Sequence, residues 1–313
     1  MAQVDMRQVK ELRDRTGAGL NDCRSALVEA TGDMEAAVGV ILKKGLAKSA
    51  KRAGAVATEG IVAARVAADG RSGVIVEVNI QTDFAARNPE FASFVEDVVA
   101  VAMQSEAGAD LASKPSPRGS GTLEEARQAL VGKLGENIQV RRWDRLAVAD
   151  GGLVHAYVHM GGKIGVILAV ETAHAASAGA KSDVLGKFVE ETAMQIAAMS
   201  PQFVDASVVP AADKNKQREI FEGQLAEEGK PPAARGKIVE GKLGKWLKEV
   251  CLLDQASVLD GEKTVDQVRA AVEKELGAKL VIKGFVRYER GEGIVVPQGP
   301  DFAEEARRMA GQS

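Results

Sequence analysis

The feature that most limits what this chain can fold into is an internal repeat. Glu59-Gly60-Ile61-Val62-Ala63-Ala64-Arg65-Val66 is a strand-like run, and the turn Ala68-Asp69-Gly70-Arg71-Ser72-Gly73 leads into a second run from Val74. Gly151-Gly152-Leu153-Val154-His155-Ala156-Tyr157-Val158 repeats the first run. A turn at His159-Met160-Gly161-Gly162-Lys163-Ile164-Gly165 then leads into Val166-Ile167-Leu168-Ala169-Val170. Thirteen residues separate Gly60 from Gly73, and thirteen separate Gly152 from Gly165. A helical stretch follows each hairpin, 94–103 in the first copy and 188–199 in the second. The pattern predicts two similar α+β subdomains, 59–148 and 149–295, each burying one face of an antiparallel sheet under helices.

The flanking segments are helical or linking. Residues 1–45 predict three short helices. Met6, Val9 and Leu12 form one apolar face, Cys23, Ala26 and Leu27 the second, and Ala37, Val40 and Ile41 the third. Gly17, Gly19, Gly32 and Gly45 break them. Residues 46–58 read as a linker, basic at Lys48, Lys51 and Arg52, with Gly45 to Gly54 as its hinge. Residues 105–121 form a loop, Thr122-Leu123-Glu124-Glu125 is a capping box for a helix to about Leu134, and 138–148 is a strand. Two charged helices, 211–228 and 233–250, make an arm turned at Gly229-Lys230-Pro231-Pro232. A helix at 265–276 and a strand at 280–288 complete the second copy. Residues 296–313 carry a linker and a short helix, with Phe302, Ala306 and Met309 on one face.

Composition excludes several function classes. The balance of 41 basic and 44 acidic residues, net −3, gives no electrostatic case for direct nucleic-acid binding. Aromatics make up 4% of the chain, so the core must be aliphatic. Cys23 and Cys251 suggest a reducing compartment. With no membrane-length apolar run, they predict a cytoplasmic protein without membrane association. His155, His159 and His174 lack metal spacing. Gly161-Gly162-Lys163-Ile164 lacks the hydroxyl of a phosphate-binding loop, and no nucleophile signature is present. No cofactor, metal or catalytic group is expected, and the chain reads as a binding protein rather than an enzyme.

The informative difference between the copies lies after the second strand. Val74, Val76, Val78 and Ile80 alternate with Ile75, Glu77, Asn79 and Gln81, as in a half-buried strand. Asn88-Pro89-Glu90 then starts a helix. Between them stand Thr82-Asp83-Phe84-Ala85-Ala86-Arg87, and copy two has Thr172-Ala173-His174-Ala175 where copy one has Gln81-Thr82-Asp83-Phe84. On one reading Phe84 tucks under the turn and Asp83 caps it. On the other, Phe84 is exposed for a partner.

Thr82-Asp83-Phe84-Ala85-Ala86-Arg87-Asn88 resembles the Thr-Asp-Phe signature of the translation elongation factor Ts family. Val9-Lys10-Glu11-Leu12-Arg13-Asp14-Arg15-Thr16-Gly17-Ala18-Gly19 and Gly284-Phe285-Val286-Arg287-Tyr288-Glu289-Arg290-Gly291-Glu292-Gly293-Ile294 match two further motifs, in the family's order. The resemblance implies a guanine-nucleotide exchange factor for the GTPase elongation factor Tu, with a ubiquitin-associated-type module at residues 1–45. It implies that Asp83 and Phe84, flanked by Thr82 and Ala85, wedge between two helices of the GTPase and disturb its magnesium and phosphate site. Arg13, Leu20, Leu134 (before Gly135-Glu136-Asn137) and His159 carry over as further contacts. A homodimer within a 2:2 complex is compatible with it. The turn after His159 is one residue longer than the family form, and the arm around 206–235 carries extra residues. The alternative from another class is an interaction scaffold without exchange activity, which would account for residues 1–45 alone.

Overall fold

Alternation of β-branched residues makes the central strand, and the structure covers both of its faces. In the computed structural model, which describes residues 4–119, 121–149, 151–172 and 180–296, the first sheet contains β1 (Glu59–Val66), β2 (Ser72–Ile80) and β3 (Ile138–Ala147). They are antiparallel in the order β1-β2-β3. The second sheet contains β4 (Gly152–His159), β5 (Ile164–Thr172) and β6 (Leu280–Glu289), antiparallel in the order β4-β5-β6. The fold is α+β, as the repeat predicts. The expected helix at 302–309 and the Ala173-His174-Ala175 segment lie outside the described residues.

Three helices precede the sheets: α1 (Met6–Thr16), α2 (Leu20–Glu29) and α3 (Met34–Arg52). Val9, Leu12, Cys23, Ala26, Leu27 and Ala37 form their common core. Met6, expected on that apolar face, is exposed. The third helix does not stop at Gly45 but runs on to Arg52, so residues 46–52 are helix rather than linker. Alanine, leucine and lysine there are good helix formers, and they outweigh a single glycine.

The first sheet carries α4 (Asp83–Ala86), α5 (Pro89–Met103) and α6 (Leu123–Leu134). Asn88 caps α5 through Glu90 N, and Thr122 with Glu125 forms the expected capping box of α6. Val74, Val76, Val78 and Ile80 pack against Phe91, Phe94, Val95 and Val98 of α5. In the second copy Val166, Leu168 and Val170 pack against α7 (Ala180–Met199) and α10 (Val265–Leu276). The arm, α8 (Ala211–Glu227) and α9 (Pro232–Val250), is inserted between α7 and α10. Among the described residues no helix is long and apolar enough to cross a membrane.

The two sheets meet face to face through a reciprocal contact. Val62, Ile75, Val154, Ile167, Ala169 and Tyr288 fill the space between them. Val62 N donates to Gly162 O at 2.8 Å, and its counterpart Val154 N donates to Gly70 O at 2.7 Å. The repeated glycines make this approach possible. A Cβ on Gly73 would sit 2.9 Å from Val154, and one on Gly165 would sit 2.6 Å from Val62. Equivalent residues thus exchange equivalent contacts, as across a twofold interface.

This packing corrects the half-buried reading of β2. Glu77 and Asn79 are fully buried, because the second sheet and the segment after β6 cover the face expected to be open. The Glu77 carboxylate accepts from Arg141 Nη1 at 3.0 Å, Arg142 Nε at 2.5 Å, Asn79 Nδ2 at 3.1 Å and Gly291 N at 2.7 Å. Gly291 has φ 74°, and a Cβ there would lie 2.5 Å from Thr58 O, so only glycine brings its N–H to the carboxylate. Arg142 also stacks over Tyr288, 4.1 Å from its ring centroid, and Tyr288 Oη donates to Asp144. Burial pushes the Glu77 pKa up, but the hydrogen bonds from Gly291, Arg142, Asn79 and Arg141 outweigh it and hold it below the usual carboxylate value.

Glu77→Gln should therefore lose about 2–4 kcal/mol at pH 7, since it leaves two guanidinium groups facing a neutral amide. A depressed pKa contributes stability above the unfolded value, and that contribution fades as pH falls through the folded value. The gap between the two proteins in denaturant melts should thus shrink below about pH 4. A gap unchanged at acid pH would contradict the ionised clamp.

Candidate functional site

β2 ends at Ile80, and the chain leaves it through Gln81 into a single helical turn. Thr82 is extended (φ −122°, ψ 152°) and is the N-cap of α4, its Oγ1 accepting from Ala85 N at 3.2 Å. Asp83 does not cap the turn. It pairs with Arg87 Nη2 at 2.9 Å, an exposed i,i+4 pair of the kind worth little in water, so its carboxylate is readily given up to another cation or donor. Phe84 is 82% exposed. The reading that tucks it under the turn fails because Ala85 and Ala86 occupy that place, Ala86 buried and Ala85 packed against the first core.

The turn is braced from the end of α6. Gly135, left-handed at φ 73°, ends that helix and turns the chain so that Glu136 and Asn137 face the β2 exit. Thr82 N donates to Glu136 Oε2 at 3.0 Å, and Thr82 Oγ1 donates to Glu136 Oε1 at 2.7 Å. Asn137 N donates to Gln81 Oε1 at 2.7 Å, while Asn137 Nδ2 donates to Ala55 O at 2.7 Å and ties the segment before β1 to the same place. Sequence reasoning quoted Glu136 and Asn137 only as a motif beside Leu134. A comparison of the copies would have marked them: α10 also ends at a left-handed glycine, Gly277, but Ala278 and Lys279 follow it.

The other carried-over residues distribute around this turn. Leu134 is half-buried against the first core rather than presented outright. Next to it, Lys133 Nζ pairs with Glu90 at 2.5 Å, and its side chain lies against Gly17 in the α1–α2 connection. That connection leads to Leu20, 45% exposed at the start of α2, and follows exposed Arg13. His159 is exposed in the β4–β5 turn, where Nδ1 meets Tyr157 Oη at 2.8 Å, and Met160 beside it is 68% exposed. This turn lies against β1, because Gly162 O accepts from Val62 N; Val62 pairs with Glu77, three residues before the end of β2. The α1–α2 connection thus approaches the start of α5 through Lys133 and Glu90, and the β4–β5 turn lies on β1 at Val62, opposite Glu77.

Among the described residues no group of three or more His, Cys, Asp or Glu side chains could hold a metal ion. Cys23 and Cys251 are buried and unlinked, and burial raises both thiols, Cys251 to about 11, so neither is a thiolate at neutral pH. What the surface offers is shape: an exposed aromatic ring on a braced turn, beside a carboxylate paired with a solvent-exposed arginine.

The family model described as Elongation factor TS matches residues 81–292, beginning at the residue before this turn and ending just past Gly291. The chain belongs to the elongation factor Ts family. The Elongation factor Ts of Clostridium perfringens (strain SM101) is 44% identical over 314 residues, covering 99% of this chain and all of that protein. The Elongation factor Ts of Symbiobacterium thermophilum is 45% identical over 311 residues, covering 99% of both, and that of Nitratiruptor sp. is 43% identical over 306 residues, covering 98% and 99%. The family's place is in translation elongation.

The relation of the α1–α2 connection to the turn depends on one helix crossing. Gly45 in α3 lies on Gly132 in α6, so close that a Cβ on Gly132 would fall 2.7 Å from Gly45 Cα. Gly132→Ala must separate the two helices and should cost about 1–3 kcal/mol. Hydrogen exchange in α3 should accelerate while β2 stays protected; equal protection of α3 in both proteins would contradict a fixed crossing.

Proposed function

We propose that this chain is a guanine-nucleotide exchange factor for the GTPase elongation factor Tu. It would bind the GDP-loaded form, disturb the magnesium and phosphate site with Asp83 and Phe84, and release GDP so that GTP can reload. The observation that carries this reading is the 82% exposure of Phe84 on a turn whose entry is held by three hydrogen bonds to Glu136 and Asn137. A large apolar ring without an internal packing role, held on a fixed backbone, is suited to enter a partner.

Exchange of this kind makes and breaks no bond. A factor that binds the empty GTPase more tightly than the loaded one weakens nucleotide binding by the same ratio. Burial of one phenylalanine contributes about 1.5–3 kcal/mol, or roughly 10- to 150-fold, so one ring supplies only part of the required coupling. The remainder falls to a broad interface. Exposed Leu20 and Arg13 of the N-terminal module, read as ubiquitin-associated-like, and exposed His159 would join it. Half-buried Leu134 would contribute through its edge, and residues 296–313 would add a further contact. The cellular setting in this reading is the cytoplasm.

Phe84→Ala should slow GDP release from elongation factor Tu at least about tenfold while leaving the denaturant midpoint nearly unchanged, because an exposed ring adds little to the free fold. Stopped-flow release of fluorescent GDP and a denaturant melt measure the two effects. A normal exchange rate in a folded Phe84→Ala protein would overturn the proposal.

A further inference from the structure

We infer that Glu136 is a positioning residue for exchange: it sets the geometry of the Asp83-Phe84 turn before any partner arrives. The inference rests on the exchange reading and adds a residue to it. Three observations support it. First, α4 is a four-residue turn, far too short to hold itself, and Phe84 makes no part of the buried core. Second, both acceptor oxygens of Glu136 are spent on one residue, Thr82. Committing the Thr82 hydroxyl proton to Glu136 leaves its oxygen free to accept from Ala85 N, so the carboxylate fixes both the rotamer and the direction of the cap. Third, the second copy has no carboxylate at the position of Glu136. α6 and α10 share the threonine capping box, the left-handed C-terminal glycine and an arginine donating to the following strand, Arg127 to Ile138 O and Arg269 to Leu280 O. After Gly277, however, stands Ala278, whose side chain has no oxygen. The departures at 82–84 and at 136 from the second copy are thus the two halves of one contact.

Among the described residues the hydrogen bonds of the Glu136 carboxylate go to Thr82, so its effect on exchange should pass through the turn that carries Phe84. A double-mutant cycle separates this from a general structural role. Glu136→Ala and Glu136→Gln, each checked for an unchanged far-ultraviolet spectrum and a cooperative melt, should slow GDP release at saturating factor about tenfold, the scale of one charge-assisted hydrogen bond. In a Phe84→Ala background the same changes should alter the rate by about twofold or less. Equal slowing in both backgrounds would overturn the inference, since Glu136 would then act independently of the ring. No slowing by either Glu136 variant, with Phe84→Ala slow, would overturn it while leaving the exchange reading intact. Normal exchange by Phe84→Ala would remove both.

Discussion

The buried carboxylate of Glu77 is the interaction on which the rest of the molecule depends. It sits in the middle strand of the first sheet, on the face turned to the second copy, and gathers donors from β3 and from the segment after β6. A charge with no solvent access would be prohibitively unfavourable without such partners. Here four donors surround it: Asn79 from β2 itself, Arg141 and Arg142 from β3, and Gly291 from the segment after β6. Gly291 supplies its N–H from a backbone shape that a side chain would forbid. The carboxylate therefore determines how the C-terminal motif lies across the first sheet, and it does so three residues before the exit toward Thr82.

Duplication explains the frame, and departures from it locate the site. The reciprocal contacts of Val62 with Gly162 and Val154 with Gly70, and the paired close approaches of Gly73 and Gly165, follow from two copies packed about an approximate twofold. Glu77 breaks that symmetry, because Ala169 holds the equivalent place in β5. So do Asp83-Phe84 and Glu136. The asymmetric residues concentrate at one end of one sheet, where they create a polar anchor, a braced turn and a bare aromatic ring.

Much of this was legible in the sequence, for identifiable reasons. Period-two alternation and the repeated glycine spacing marked the strands of both sheets, and capping residues marked α5 and α6, because those signals are local. Burial of Glu77 and Asn79 was not legible: an alternating strand looks half-exposed until the partner sheet is placed on its polar face. The continuation of α3 to Arg52 was hidden for a similar reason, since Gly45 reads as a stop signal and is in fact a contact with Gly132. At the turn, local rules pointed Phe84 inward and gave the cap to Asp83. Thr82 is the cap instead, because Glu136, more than fifty residues away in sequence, fixes its hydroxyl. Tertiary contacts decided each of these positions.

The central claim is that the free protein already holds the Phe84 turn in one conformation, anchored through Thr82. Backbone amide relaxation of the isolated chain tests it most directly. The account predicts order parameters near 0.85 for Thr82 and Ala85, matching β2, with slow exchange of the Thr82 amide bonded to Glu136. Order parameters below about 0.6 at these residues in the free chain, rising only on partner binding, would contradict it.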